Sequence, residues 1–124
     1  MSNTRHVVII RKDLQFVPGL LAAQAAHISD MFIRQRLVVG NRKFSKKEME
    51  WMQEPYITIL SVSCQEELNL IANEAKDAGL PVCKWFDTVI TPTLGKKVNL
   101  FVGISIGPED SDKLAVVTST LPLY

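Results

Sequence analysis

The feature that most constrains the fold of this chain is the run His6-Val7-Val8-Ile9-Ile10-Arg11, in which apolar residues follow one another without polar alternation. Such a run predicts a strand that is buried on both faces, as in a sheet covered by helices. Further strand-like runs alternate with segments of helical periodicity along the chain. The pattern therefore predicts an α/β domain.

The helices are predicted from the spacing of apolar residues and from capping signals. A short helix is expected after Ser45 and a longer one after Ser63, because each serine stands three residues before a glutamate, the spacing of a capping box. Gly107 and the proline after it are expected to open a last helix. The first helix has one apolar stripe, formed by Leu21, Ala25, Ile28 and Phe32.

Besides the first strand, strands are predicted at residues 56–62, 82–86 and 98–106. The order is then β-α-α-β-α-β-β-α. Right-handed crossovers predict a mainly parallel sheet, whereas the short link between the last two strands predicts one antiparallel pair. We predict one three-layer domain over residues 1–124, with a four-stranded mixed sheet and helices on both faces.

Composition bounds the function. The net charge is +1, from 14 basic and 13 acidic residues, so overall charge does not by itself predict nucleic-acid binding. No apolar run is long enough to cross a bilayer, and the first eleven residues lack the layout of an export signal, which predicts a cytoplasmic protein. Cys64 and Cys83 lack the spacing of a metal site and are predicted to be free thiols.

Basic residues are nevertheless concentrated between positions 34 and 47. This stretch is either a solvated helix end and loop, which is the usual role of a run of charges, or a patch that contacts phosphates. The residues are Arg34, Arg36, Arg42, Lys43, Lys46 and Lys47.

Ligands of open α/β sheets bind beyond the carboxyl ends of the parallel strands, which directs attention to the polar residues there. Gln24 and His27 are three apart on the first helix and are predicted to share a face; the alternative for either is a structural hydrogen bond. Asp87 follows the third strand and can orient or deprotonate a water, or can form a turn. Gly103, inside the last strand, indicates close approach of another backbone or a ligand.

Several motifs occur in a recognisable order. The strand end Arg11-Lys12-Asp13-Leu14 precedes the helix start AAQAAH at residues 22–27, and Asp87 and Thr91 follow the third strand. GISIGP at residues 103–108 precedes the last helix, and the sequence closes with LPLY. In this combination the chain resembles, over nearly its whole length, the archaeal/eukaryotic-type (type 2) peptidyl-tRNA hydrolases.

The resemblance implies hydrolysis of the ester that joins a peptide to the 3′ ribose of tRNA, without a metal or other cofactor. It implies tRNA or peptidyl-tRNA as the partner, and a homodimer. It also implies that Asp87, Thr91 and Gln24 are the catalytic residues and that His27 belongs to the site. We further predict that His27, Lys12, Arg11 and Gly103 bind the substrate.

The chain departs from the family pattern at positive residues. Pro18 and Leu20 stand where the family has lysines, and Ile90 stands where it has an arginine. Loss of one preorganised donor costs roughly 100- to 1,000-fold in turnover. Two alternatives therefore stay open: a catalytically impaired homologue that binds tRNA, a nucleotide or a protein, and a small-molecule hydrolase on the same scaffold.

Overall fold

The computed structural model describes residues 3–40, 43–90 and 95–124, with the backbone alone at residues 89 and 90. A single turn of 3-10 helix, Lys12–Leu14, follows the first strand. The strands are β1 (Thr4–Arg11), β2 (Ile57–Val62), β3 (Val82–Ile90) and β4 (Lys97–Asp110). The helices are α1 (Pro18–Ser29), α2 (Met31–Val39), α3 (Lys46–Gln53), α4 (Gln65–Asp77) and α5 (Ser111–Thr118).

The strands form one mixed sheet in the order β2-β1-β4-β3. The predicted antiparallel pairing of β3 with β4 is confirmed, but the prediction of a mainly parallel sheet is wrong, because β1 with β2 is the one parallel pair among the described strands. β3 does run in the same direction as β1 and β2. It has no parallel neighbour because β4 lies between it and β1. Crossovers set the direction of a strand, whereas tertiary packing chooses its neighbours.

The two faces of β1 supply the two halves of the core. Val7 and Ile9 pack with residues of α4 and α5, such as Leu68 and Leu114, on one face. Val8 and Ile10 pack with residues of α1 on the other face. This double burial explains why the strand is apolar at consecutive positions, and it confirms helices on both faces of the sheet.

Two helix predictions differ from the structure. The apolar stripe from Leu21 to Phe32, predicted on a single helix, is divided between two helices that meet at Asp30, whose carboxylate pairs with Arg34 at 3.0 Å. The capping box at Ser45 is confirmed. The box at Ser63 is wrong, because Cys64 is the N-cap of α4 and both the amide and the hydroxyl of Ser63 donate to Glu67.

β4 is longer than predicted. The residues that were expected to open the last helix, Gly107 and Pro108, continue the strand, and α5 begins at Ser111. Pairing of Glu109 and Asp110 with the start of β1 keeps this segment extended. Pro108 therefore acts here within a strand, where the sequence pattern predicted a helix start.

Gly103 lies where β4 is most crowded. Trp85 pairs with Gly103 whereas Phe86 pairs with Phe101, so β4 carries one extra residue, a bulge that turns successive side chains to the same face. A Cβ atom at Gly103 would lie 2.5 Å from the Ile9 carbonyl oxygen and 2.8 Å from Cδ1 of Ile28. The glycine therefore permits close approach of β1 and α1, which is the first of the two alternatives that the sequence left open.

His6 is buried in an aromatic cluster at the start of β1. The imidazole is fully buried, and neither ring nitrogen has a hydrogen-bond partner among the described residues. The rings of Phe32 and Trp51 pack against it edge-on, with centroids at 5.4 and 5.0 Å. Burial in these surroundings lowers the pKa of His6 from 6.5 to about 4.

Acid is therefore expected to destabilise the fold through His6. Above pH 6.5 the imidazole is neutral in both states; as the pH falls from 6.5 to 4 only the unfolded chain takes up the proton, so stability is lost by about 3 kcal/mol in total. Urea unfolding measured from pH 7.5 to 4 should show this slope. His6→Phe should remove it, whereas Leu123→Ala, which changes no titratable group, should retain it. An unchanged slope in His6→Phe would contradict the assignment.

Candidate active site

The candidate site is centred on a hydrogen-bonded chain of Trp85, Gln24 and Asp87. Trp85 and Asp87 are two residues apart on β3, so their side chains point to the same face, toward α1. Gln24 is 2% exposed and turned from α1 toward this strand. The indole Nε1 of Trp85 donates to Oε1 of Gln24 at 2.7 Å, and Nε2 of Gln24 donates to Oδ2 of Asp87 at 3.0 Å.

This chain of hydrogen bonds sets the orientation of the Gln24 amide. An indole N–H can only donate, so it fixes the carbonyl end of the amide toward Trp85 and leaves the NH2 group for Asp87. The other carboxylate oxygen of Asp87 accepts from the backbone N–H of Thr88 at 2.8 Å. The Asp87 side chain is half-buried. Each of its oxygens keeps a lone pair that can accept a proton or a hydrogen bond from a bound water.

His27 and Arg34 surround the ring of Trp85. The imidazole of His27 is exposed and stacks on the indole, with centroids 5.1 Å apart and planes inclined by 22°. The guanidinium carbon of Arg34 lies 5.7 Å from the indole centroid, and its Nη2 donates to the His27 carbonyl oxygen. Gln24 and His27 thus both meet Trp85, one from the buried side of α1 and one from the exposed side.

Sequence analysis did not identify Trp85 as a functional residue, because a tryptophan in an apolar strand reads as core. One signal was present. Side chains alternate along a strand, so the residue two positions before Asp87 shares its face. The contact with Gln24 joins residues 61 apart in sequence and depends on how α1 lies on the sheet.

Arg11, which was predicted to bind substrate, is used inside the protein. The guanidinium is buried and makes two bonds to the carboxylate of Asp13, at 3.1 and 2.7 Å. Its Nη1 donates to the Phe101 carbonyl oxygen and to Oε1 of Gln65. These contacts join the end of β1 to β4 and to α4. They leave little of the guanidinium for a ligand.

The other predicted site residues fall into three situations. Lys12 is exposed, with its ammonium nitrogen 5.9 Å from the centroid of the Tyr124 ring. Gly103 is covered by α1 and shapes the sheet below the site. Thr91 lies outside the described residues. Leu20, one of the departures from the family pattern, is half-buried against the apolar cluster under α1, and Ile90 is described only as strand backbone.

The basic stretch at residues 34–47 is largely paired within the protein. Nη2 of Arg36 lies 3.4 Å from a carboxylate oxygen of Glu48, and the ammonium of Lys47 lies 2.6 Å from a carboxylate oxygen of Asp110. Arg42 lies outside the described residues. These ion pairs favour the interpretation of the stretch as a structural surface, since a cation that is already paired has less to offer a phosphate.

Three further properties of the described residues concern metal-binding clusters, free cysteines and membrane-spanning helices. The described side chains contain no cluster of three or more histidine, cysteine or acidic residues that could hold a metal ion. Cys64 and Cys83 are both free thiols, and burial raises the pKa of Cys83. None of the described helices is long and apolar enough to cross a membrane.

Together, the fold and the site define an α/β protein with a hydrogen-bonded, half-exposed carboxylate at the edge of a mixed sheet. The chain belongs to the Peptidyl-tRNA hydrolase PTH2 family, whose model matches residues 4–124. It is 30% identical over 118 residues to a peptidyl-tRNA hydrolase of Methanocaldococcus jannaschii, covering 94% of this chain and 96% of that protein.

Two further relatives extend this similarity. The chain is 32% identical over 120 residues to a peptidyl-tRNA hydrolase of Methanococcus vannielii, covering 94% of this chain and 95% of that protein. It is 31% identical over 121 residues to one of Methanopyrus kandleri, covering 96% and 97%. The similarity therefore extends over the whole family domain and includes the elements that carry the candidate site.

Proposed function

We propose that this chain hydrolyses the ester between a peptide and the 3′-terminal ribose of a tRNA. The observation that carries the proposal is the carboxylate of Asp87, which is oriented by the amides of Gln24 and Thr88 in a residue that is only partly buried. Membership of the family supports the choice of substrate. We further propose that residues 1–124 act as a single domain, in the cytoplasm and as a homodimer.

In the proposed reaction Asp87 acts as general base toward a water molecule. As the water oxygen bonds to the ester carbonyl carbon, its proton passes to the carboxylate; the bond to the ribose oxygen then breaks, and that oxygen takes up the proton. Gln24 holds the Asp87 carboxylate in its orientation through the hydrogen bond from Nε2. Thr91 is proposed to hold the ester or the ribose. His27 and Lys12 are proposed to contact the RNA.

A second candidate, an RNA-binding homologue without turnover, is favoured by one observation. Leu20 stands where the resemblance implies a lysine, and it packs against the apolar cluster under α1. An aliphatic side chain in this place can neither donate a hydrogen bond to a developing oxyanion nor balance its charge. Among the described residues whose side chains contact Trp85 or Asp87, those with side-chain hydrogen-bond donors are Gln24, His27 and Arg34.

The deciding experiment is hydrolysis of a tRNA that carries an N-blocked amino acid or short peptide. Purified protein is incubated with substrate in excess, and released peptide and deacylated tRNA are both quantified. Multiple turnovers above the buffer rate are expected. Binding of the substrate without release would establish the second candidate and would overturn the first.

The role of Trp85 can be tested separately through Trp85→Phe. This change keeps an aromatic ring against His27 but removes the N–H that fixes the Gln24 amide, so kcat is expected to fall about 10-fold with KM nearly unchanged, in line with the loss of one hydrogen bond. The measurement is steady-state kinetics on both parameters. In a Gln24→Ala background the same change should have no further effect. Full additivity of the two changes would refute the coupling.

A further inference from the structure

The β3–β4 hairpin has a second face, opposite to the one that carries Asp87. Lys84, Phe86 and Thr88 alternate with the site residues along β3 and point the other way. Across the strands Phe86 pairs with Phe101 and Thr88 pairs with Asn99. We call the exposed side chains here the hairpin face; it consists of Lys84, Phe86, Thr88, Lys97 and Asn99.

Phe86 is a rigid aromatic surface at the centre of the hairpin face. Phe86 is 54% exposed, which is a large exposed fraction for an aromatic residue, and it lies on an edge strand of the sheet. The ring stacks on that of Phe101, with centroids 4.8 Å apart and planes inclined by 22°. Phe101 is itself buried in the core. Phe86 is therefore supported from below and presents one flat side to solvent.

Positive charges lie on both sides of this ring. The ammonium of Lys84 lies 5.7 Å from the Phe101 centroid, and Lys96 and Lys97 are exposed at the other end of the hairpin. In contrast to Arg36 and Lys47, these three lysines form no ion pair within the described parts of the chain. No member of the hairpin face is acidic.

A groove continues the hairpin face along β3 toward α4. It has a volume of about 370 Å³, and Asn73, Lys76 and Lys84 contribute to its lining. The groove and the hairpin face share Lys84, and together they offer lysines, an asparagine and an aromatic ring. These match the requirements of a single-stranded nucleic acid, whose phosphates need cations and whose unpaired bases need a flat apolar partner. An acidic peptide could pair its carboxylates with the lysines, but it would not need the aromatic ring of Phe86.

We propose that the hairpin face binds the unpaired 3′ nucleotides of an RNA, with one base stacked on Phe86 and phosphates near Lys84 and Lys97. The choice of tRNA as that RNA rests on the proposed function; the recognition of single-stranded RNA rests on the hairpin face alone. Because β3 is an edge strand and Phe86 directly precedes Asp87, an RNA that crosses this edge passes from the stacking surface to the carboxylate.

The test compares two RNAs: a deacylated tRNA with its single-stranded 3′ end, and the same tRNA with that end removed. Wild type should prefer the intact tRNA. Phe86→Ala should weaken binding of the intact tRNA by roughly 5- to 100-fold and leave the shortened one unchanged. Phe86→Leu, which still covers Phe101, should weaken it in the same direction, and Phe86→Trp should retain affinity. Leu123→Ala, at an exposed site on the opposite edge, is the matched control.

Salt dependence tests the lysines independently. Lys84→Ala and Lys97→Ala should each lower the slope of log affinity against log salt by about 1, whereas Lys113→Ala on α5 should not change it. Equal binding of the two RNAs, or unchanged binding in Phe86→Ala and Phe86→Leu, would overturn the proposal. The same holds if these variants only abolish self-association in sedimentation, since the face would then be a contact between copies of the chain.

The outcomes separate this inference from the proposed function. A short substrate, a peptide ester of adenosine, lacks the preceding nucleotides, so its cleavage by wild type tests the role of Asp87 by itself. If wild type binds RNA through Phe86 and cleaves neither substrate, the proposed function fails and the inference stands. If wild type cleaves peptidyl-tRNA and Phe86→Ala does so with the same KM, the inference alone fails.

Discussion

Replacing Asp87 by asparagine is expected to lower kcat on peptidyl-tRNA by about 100- to 10,000-fold, the usual contribution of a general base. The two side chains have nearly the same shape, and an asparagine carbonyl can still accept from Nε2 of Gln24, as the carboxylate does at 3.0 Å. What is lost is the ability to take a proton from water, together with the acceptor for the Thr88 N–H, since the NH2 end of asparagine can only donate. Binding of deacylated tRNA should therefore stay close to that of wild type.

Single-turnover hydrolysis with excess enzyme isolates this effect from product release. Asp112→Asn is the matched control, because Asp112 is exposed in the first turn of α5 and away from the site. Its rate should equal that of wild type. Near-normal cleavage by Asp87→Asn would remove Asp87 from the reaction. A joint loss of cleavage and RNA binding would instead indicate a role in binding or folding.

The largest effect on stability is expected from Gly103→Ala. The added Cβ would lie 2.5 Å from the backbone oxygen of Ile9 and 2.8 Å from Cδ1 of Ile28, and a backbone atom within a sheet cannot move aside cheaply. We expect a loss of about 3 kcal/mol or more in the free energy of unfolding, at the upper end of overpacking costs. Because Ile28 is on α1, the strain should also displace Gln24 and lower turnover in the fraction that remains folded.

Urea unfolding of Gly103→Ala and Gly19→Ala, side by side, measures this effect with an internal comparison. A Cβ at Gly19 would meet no atom within 4 Å, and the residue lies in the first turn of α1. Gly19→Ala should therefore be neutral or stabilising by up to about 1 kcal/mol. Similar stabilities for the two variants would show that β4 and α1 are not in close contact at Gly103.

Features that depend on neighbouring residues in sequence were predicted well. The apolar run of β1 predicted burial on both faces, and the serine-to-glutamate spacing at Ser45 predicted its capping box. Two of the predictions that failed, the mainly parallel sheet and the start of the last helix, depend on strand pairing between distant parts of the chain. The failed cap at Ser63 was instead a choice between nearly equal local options. At Ser63 the hydroxyl bonds to the fourth following residue, Glu67, in place of the third.

The sequence by itself pointed to Gln24 on the first helix and to Asp87, which it placed just after the third strand. In the structure β3 continues to Ile90, so Asp87 lies within the strand. The tertiary structure decided how these residues meet. β4 lies between β1 and β3, α1 lies against the bulge at Gly103, and this packing brings Trp85 and Asp87 to the two ends of one amide. Periodicity is a local property of a chain, whereas strand order and helix placement depend on burial over the whole molecule, which explains the division.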